Sequence, residues 1–282
     1  FTEPEIMRSN LSAVILQMLN LKLGDIKQFP FVNAPDNRFI NDGFKRLEEI
    51  AAVSPTGEMT DLGRKLSKLP IDPHLARMLF TAQQKNALRE VLIIVSAIAA
   101  QDPRERPADK KAQADQKHAQ WNHENSDFMA YVNLWDSYHE WAEDLSQSQL
   151  RKRCKQEYLS YIRMREWRDL YTQIQGVCRE IGWKKNQDAA NYDDIHVALA
   201  SGLLGQVAMR DGKDEYLGAR QRRFVIFPGS SMRKKKPNWI LSGQLLETSQ
   251  VFAHQVAMIE PEWLLSVAKH LVKYHYSEPY YS

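Results

Sequence analysis

The hydrophobic pattern of this chain changes its period near Gly182, and that change limits the folds that the sequence allows. Before it, apolar side chains recur every three or four positions over long stretches, which is typical of amphipathic helices. After it, short β-like segments alternate with turn pairs such as Asp211-Gly212 and Pro228-Gly229. The sequence therefore predicts a mainly α protein that ends in a small β-barrel.

The helical part divides into two units. In the first, over residues 1–69, short helices surround a small hairpin with the turn Pro55-Thr56-Gly57, and this arrangement favours a winged-helix domain. The second, over residues 70–190, has the successive helical stripes of a helical bundle. These stripes cover residues 73–100, 127–150 and 154–181.

Two features of the bundle are predicted in more detail. Residues 101–120 contain no Val, Ile, Leu, Phe or Met, so they form either a solvated connection or a short exposed helix. Trp135, Tyr138 and Trp141 recur at helical spacing, and we expect this stripe to lie in the core.

The predicted barrel occupies residues 191–275, and residues 276–282 begin a possible following segment. Ser242-Gly243 is predicted as a turn, and Pro261 as the start of a last helix. The predicted strands cover residues 216–217, 224–227, 239–241 and 251–259.

Positive charge is concentrated in two segments, although the net charge is only +3. Residues 151–185 contain ten Lys or Arg against four acids, and residues 220–236 contain seven Lys or Arg and no acid. The rest of the chain is mildly acidic, so the sequence indicates a polyanionic partner at defined surfaces. Because residues 220–236 lack acids, we expect them to contribute more to binding than residues 151–185 do.

Motifs for catalysis and for metal binding are missing from the sequence. It contains no Gly-rich phosphate loop and no nucleophile elbow, and His139-Glu140 lacks the second histidine of a zinc-protease helix. Cys154 and Cys178 are expected to be buried apolar residues, and a chain with two cysteines fits a reducing, cytoplasmic compartment. We therefore expect no catalytic residue, no metal, no cofactor and no membrane partner. The chain starts at Phe1, so we expect it to be part of a longer protein.

An ordered set of short motifs extends over nearly the whole chain. The set consists of residues 4–8, 14–18, 23–26, 29–31, 62–73, 75–79, 102–107, 126–128 and 276–279. Taken together, it resembles the region that follows the second RecA-like domain of DEAH-box RNA helicases, and the bacterial HrpA-type members in particular.

This resemblance implies three modules in the order winged helix, ratchet-like helical bundle and OB-fold, which is also the order of the units inferred from the pattern. The RecA-like motor domains, with their phosphate loop and Asp-Glu-Ala-His motif, are absent from this sequence. ATP and Mg²⁺ would therefore be bound by the parent's motor domains, and this chain alone should be inactive. By the same resemblance, the modules close a channel for single-stranded RNA against the motor domains and assist 3′-to-5′ unwinding. The expected partners are therefore single-stranded RNA and the motor domains of the same parent chain.

Two other functions stay open. The basic segments could form a protein-interaction platform for an acidic motor surface or an activator peptide. Competition by single-stranded RNA distinguishes this possibility from RNA binding. An independent, metal-free hydrolase is the least favoured interpretation, because no motif supports it.

The candidate RNA-binding residues form two groups. The helix group is expected to follow the phosphates, although pairing with Glu157 or Glu166 is the alternative, and it consists of Lys155, Arg163, Arg165 and Arg168. Basic residues of the barrel group flank a strand with two Phe residues, a setting in which cations follow phosphates and bases stack on rings. A solvated charge run is the alternative for this group, which consists of Arg220, Arg222, Arg223, Arg233 and Lys234.

Side-chain geometry limits which residues near each segment can face the same ligand. Arg165 and Arg168 share a helix face, whereas Arg163 lies about 160° away from Arg165. Strand alternation allows at most one of Phe224 and Phe227 to be exposed, and the other packs in the barrel.

One segment departs from the family pattern Ile-His-Pro-Ser-Ser. Here it is Ile226-Phe227-Pro228-Gly229-Ser230-Ser231. The two serines match in type, so the resemblance adds Ser230 and Ser231 to the RNA-binding candidates. Phe227 stands where the family has histidine, and the contact of that histidine is therefore not carried over.

Overall fold

The computed structural model describes residues 5–32 and 34–272, so the segment predicted over residues 276–282 and the motif at residues 276–279 lie outside the described residues. Within the described residues, the first unit contains three α-helices, a 3₁₀ helix (Ile26–Gln28) and the bridge between Val53 and Met59. Thr60 begins the third helix by accepting a hydrogen bond from the N–H of Gly63. The helices are α1 (Glu5–Leu21), α2 (Asn37–Glu49) and α3 (Asp61–Leu66).

The bundle contains more breaks than the sequence predicts. The stripe predicted over residues 127–150 is interrupted at Leu145, where the backbone is extended, and Ser146 then caps the next helix with a capping box. Within the stripe predicted over residues 154–181, Ser160 begins a further helix by accepting a hydrogen bond from the N–H of Arg163. The helices are α4 (Pro73–Gln84), α5 (Leu88–Ala99), α6 (Lys111–His118), α7 (Met129–Asp144), α8 (Gln147–Gln156), α9 (Tyr161–Glu180) and α10 (Tyr192–Ser201).

The core of the bundle forms around α5, which is apolar on nearly every side and buried. Trp167 of α9 packs against it and donates its indole N–H to the carbonyl oxygen of Ile93, 3.2 Å away. In the aromatic stripe of α7, Trp135 and Tyr138 are buried and Trp141 packs against the core, as predicted. Of the two alternatives for residues 101–120, the structure has the short helix α6.

The last unit is a closed five-stranded barrel, which confirms the predicted fold class. Its strand order is β1-β2-β3-β5-β4, and all pairs are antiparallel except β3 with β5. A short helix α11 (Met232–Lys235) connects β3 to β4. The strands are β1 (Val207–Arg210), β2 (Glu215–Gly218), β3 (Arg223–Ile226), β4 (Trp239–Glu247) and β5 (Val251–Met258).

Three barrel predictions differ from the structure. The segment β1 was not among the predicted strands, and the helix expected at Pro261 is a 3₁₀ helix, Pro261–Ser266. Ser242-Gly243 is part of β4 rather than a turn. A Cβ atom on Gly243 would meet Oε1 of Gln255, so the absence of a side chain at this position leaves room for the Gln255 side chain of β5.

Two glycine substitutions should have opposite effects on stability. A Cβ on Gly63 would lie 2.1 Å from the carbonyl oxygen of Ala52, so Gly63→Ala should lower the free energy of unfolding by about 1–3 kcal/mol. Gly176 lies within α9, and beyond the backbone of that helix nothing lies within 4 Å of the place a Cβ would take, so Gly176→Ala should raise the free energy of unfolding by about 0.5–1 kcal/mol. Urea unfolding of both variants measures the difference, and changes of the same sign would contradict it.

Candidate nucleic-acid interface

Arg220, Arg222 and Arg223 of the barrel group lie in or just before β3 and are exposed, but acids accompany Arg222 and Arg223. Arg222 forms an ion pair of 3.2 Å with Glu247 at the end of β4. Arg223 lies 2.6 Å from Asp211 and 3.4 Å from Glu215. Residues 220–236 therefore lack acids in sequence but not in space, and their positive potential is lower than their composition indicates.

The two serine candidates, Ser230 and Ser231, contact the bundle. Ser231 donates its hydroxyl to Oδ1 of Asp127, 2.8 Å away, and Ser230 donates to Oδ2 of the same carboxylate. Asp127 also accepts the backbone N–H of Val256 at 2.9 Å. The loop after β3 is thus fixed to the start of α7 by one half-buried carboxylate.

The remaining cations of the barrel group differ in their contacts. Arg233 donates to the carbonyl oxygen of Ile226 at 3.1 Å, which holds its guanidinium against the barrel. Lys234 is exposed and forms no ion pair within the described part of the chain.

The helix group lies on α8 and α9. Arg163 donates to the carbonyl oxygen of Asp102 at 3.2 Å, while Lys155, Arg165 and Arg168 are exposed. Across residues 5–32 and 34–272, none of the four forms an ion pair. Glu157, the predicted alternative partner, is occupied by Arg153 at 3.1 Å and by Lys117 at 3.6 Å.

The two groups face different cavities. Lys155 and Arg165 line a cavity of about 1240 Å³ between α8, α9 and the loop before α6. Arg220 and Arg222 line one of about 800 Å³ between α2 and the barrel. The structure therefore does not bring the predicted candidates together into one surface.

A groove that the sequence did not indicate lies where the three units meet. It consists of three adjoining cavities of about 800, 430 and 470 Å³. The first two share Arg46 and Gln206, and the last two share Gln244 and Gln255. Its walls come from α2, from the start of α4, from residues 102–106 and from the barrel. We call these three cavities the junction groove.

In the junction groove, both arginines of the cavity of about 470 Å³ are paired with carboxylates. Arg104 lies 2.7 Å from Asp102, and Arg106 lies 2.6 Å from Asp115. Burial alone would raise the pKa of Asp102, but the charge and hydrogen bonds of Arg104 outweigh it and hold that pKa below its ordinary value. The groove is thus polar without a large excess of positive charge.

Amide side chains supply the uncharged polar groups of the junction groove. Gln206, Gln244 and Gln255 line it, and Oε1 of Gln206 is buried with no hydrogen-bond partner among the described residues. A buried acceptor without a partner is costly, so this atom is suited to a donor from a ligand or from water.

The rings of β3 follow the predicted alternation. Phe224 is buried in the barrel, whereas Phe227 is half-buried and lines the junction groove. No sequence signal indicated that a histidine of β5, His254, lies beside Phe227, because the two are paired only through the barrel.

The two cysteines are buried thiols rather than nucleophiles. Cys154 and Cys178 are buried as predicted, and burial raises the pKa of each thiol to about 11, so neither forms a reactive thiolate. Among the described residues, no three His, Cys, Asp or Glu side chains form a cluster that could hold a metal ion. Within the same part of the chain, no helix has both the length and the apolar composition needed to cross a bilayer.

Three family models match successive parts of this chain. The helicase-associated winged-helix domain matches residues 44–71, and the ratchet-like helicase-associated domain matches residues 72–131. The oligonucleotide/oligosaccharide-binding (OB) fold matches residues 195–271. The order of these models is that of the three units in the structure.

Two curated bacterial proteins are similar to the chain over its whole length. The ATP-dependent RNA helicase HrpA of Escherichia coli (strain K12) is 49% identical over 287 residues, and the ATP-dependent RNA helicase HrpA homolog of Haemophilus influenzae is 46% identical over 290 residues. The chain spans 22% of the length of each relative.

Proposed function

Since the chain belongs to the helicase-associated region of HrpA-type DEAH-box RNA helicases, we propose that it binds single-stranded RNA and closes an RNA channel against the motor domains of its parent protein. In this role it assists 3′-to-5′ unwinding without hydrolysing ATP itself. A cytoplasmic location is part of the same proposal.

The junction groove is the observation that carries this proposal. All three units contribute walls to it, so a strand lying in it would contact the winged helix, the bundle and the barrel at once. An open groove becomes a channel only when a further surface covers it. The RecA-like motor domains implied by the resemblance would provide this covering surface.

The cofactors of the parent belong to the motor domains. The sequence has no Gly-rich phosphate loop, and the described residues have no acidic cluster for Mg²⁺, so they do not fit an ATP–Mg²⁺ site. We therefore derive no step through ATP in this chain, and its own contribution is binding.

RNA binding by the chain alone should be weak and salt-dependent. Each phosphate contact contributes roughly −0.7 to the slope of log K against log salt concentration on single strands. A few contacts from exposed cations such as Arg220, Arg168 and Lys234 give an expected slope of about −2 to −4. Fluorescence anisotropy with a labelled single-stranded RNA measures this slope, at salt concentrations from about 50 to about 200 mM.

A paired substitution tests the barrel group. Arg220→Gln with Arg222→Gln should reduce the size of the slope by about 1.4, because two phosphate contacts are lost. Arg64→Gln is the matched control, since Arg64 is an exposed cation of α3 that lines none of the three junction cavities. An appreciable affinity with a slope near zero would contradict phosphate binding.

A protein-interaction platform is the second candidate, and the cavity beside α8 and α9 favours it. The exposed Ile162, with 69% of its surface accessible, lies there among cations and acids, so an acidic peptide with an apolar anchor would fit. Single-stranded RNA competes for the basic residues only if they bind RNA. Failure of RNA to displace an acidic peptide from Lys155 and Arg165 would favour the platform.

A further inference from the structure

A stacked pair of rings lines one end of the junction groove. The ring centroids of Phe227 and His254 are 4.1 Å apart with an angle of 26° between the ring planes. Both side chains are half-buried, so the pair is in contact with the barrel and also accessible from the cavity of about 470 Å³. The outer face of such a ring pair is suited to stacking with a further planar group.

The barrel topology explains how the pair forms. Strands β3 and β5 are parallel, with Val225 opposite Phe252 and Ile226 opposite Ala253, so the next position brings Phe227 beside His254. A Cβ on Gly229 would lie 2.7 Å from Cε1 of Phe227, so a side chain at this position would displace the ring. Phe227 and Gly229, the two residues that depart from the family pattern, therefore belong to one local arrangement. Its third member is His254 of β5.

The charges at this end of the groove argue against a phosphate ligand. Arg104 and Arg106, the two arginines here, are each paired with a carboxylate, and Asp127 adds a further negative charge. Burial lowers the pKa of His254, so its imidazole is neutral at pH 7 and contributes no cation. A phosphate would meet no unpaired positive charge in this cavity.

The uncharged groups argue for a planar polar ligand. Gln244 and Gln255 line the cavity next to the rings, and amides offer both donors and acceptors. The Nε2 of Gln255 donates to the Tyr131 hydroxyl at 2.8 Å, which fixes this amide and leaves its oxygen available. Rings for stacking beside fixed amides are the features with which proteins bind unpaired bases.

We propose that this cavity is a nucleobase subsite, in which one unpaired base of the bound RNA stacks on the Phe227–His254 pair and hydrogen-bonds to Gln244 or Gln255. The inference rests on the proposed RNA binding, and it assigns the phosphates and the base of the RNA to different parts of the surface. The exposed cations outside this cavity follow the phosphates, and this cavity takes a base. Stacking tolerates any base, so the subsite gives affinity more than sequence preference.

Anisotropy with the full 282-residue chain and a labelled single-stranded oligouridine tests the subsite. Phe227→Ala should raise Kd by about 5- to 100-fold, the range for loss of one stacked base, without changing the salt slope. Phe252→Ala is the matched control, because Phe252 packs edge-on against Phe227 at 6.1 Å but does not line the cavity. Its Kd should stay within about twofold of the unsubstituted value, since no stacked base is lost.

A second measurement needs no substitution in the protein and so does not depend on how the variants fold. A single abasic nucleotide is moved along the oligonucleotide, and the unsubstituted chain should lose affinity most at one position. The Phe227→Ala variant should show no such position. A fluorescent base analogue at the same position should be quenched on binding.

The outcomes separate the subsite from the proposed function. No RNA binding by the unsubstituted chain overturns both. RNA binding with the expected salt slope, but with equal affinity for all abasic positions and no quenching, overturns the subsite and leaves the proposed function intact. A loss in Phe227→Ala that is matched by Phe252→Ala, without an abasic-sensitive position, also overturns the subsite.

Discussion

The free energy of unfolding should fall by about 3 kcal/mol between pH 6.5 and pH 4 because of His196 alone. Burial lowers the pKa of this imidazole from 6.5 to about 4, although the hydrogen bond with the Tyr192 carbonyl opposes the shift. Above pH 6.5 the folded and the unfolded chain both hold a neutral His196. As the pH falls below 6.5, the unfolded chain binds the proton first, so stability is lost until the folded pKa is reached.

The geometry around His196 explains why protonation is resisted. Its Nδ1 lies 2.6 Å from the carbonyl oxygen of Tyr192, which can only accept, so Nδ1 carries the hydrogen. Its Nε2 therefore accepts from the hydroxyl of Ser126, 2.7 Å away. A second proton, on Nε2, would place a positive charge in a fully buried site and would require the Ser126 hydroxyl to turn from donor to acceptor.

Urea unfolding at several pH values from 7, above the ordinary pKa, down to about 4, the folded pKa, measures the effect. The His196→Gln variant is the control, since it removes the titrating group while keeping a polar side chain. Its stability at pH 7 will be lower, but its decline towards pH 4 should be smaller by about 3 kcal/mol. Parallel declines in the two proteins would show that His196 is not responsible.

The fold could be predicted largely from the sequence because its signals are local. Helical spacing in α4, α5, α7 and α9 and the short segments of the barrel depend on residues a few positions apart. The errors arose where a tertiary contact decided the local structure. Gly243 was predicted as part of a turn but continues β4, because its neighbours Ser242 and Gln244 pair with Val256 and His254 of β5.

The candidate site could be predicted only in part, because its partners are distant in sequence. Arg222 meets Glu247 across strands, so a segment without acids has one beside it in space. Helix geometry did separate Arg163, which bonds to the Asp102 carbonyl, from the exposed Arg165. The junction groove had no sequence signal, since its walls come from all three units. The RNA contacts of both groups stay predictions.

Asp127 also contacts residues that are distant in sequence, and its substitution has the second large expected effect, a loss of stability. Its carboxylate accepts the hydroxyls of Ser230 and Ser231 and the N–H groups of Ser231 and Val256, so all four of its acceptor positions are used. Hydrogen bonds to a charged group contribute about 1.5–3 kcal/mol each, and water at this half-buried site replaces part of them. We expect Asp127→Ala to lower the free energy of unfolding by about 3–5 kcal/mol.

Two further variants identify the source of this loss. Asp115→Ala removes an exposed carboxylate that pairs with Arg106 and should cost about 0–1 kcal/mol, as surface ion pairs do. Asp127→Asn keeps one acceptor oxygen but sets an NH₂ group against the donors, so its cost should lie between the two. Because Asp127 fixes the loop that follows Phe227, Asp127→Ala should also weaken RNA binding under conditions where the variant is folded. A loss no larger than that of Asp115→Ala would mean that the bundle and the barrel are held together without this carboxylate.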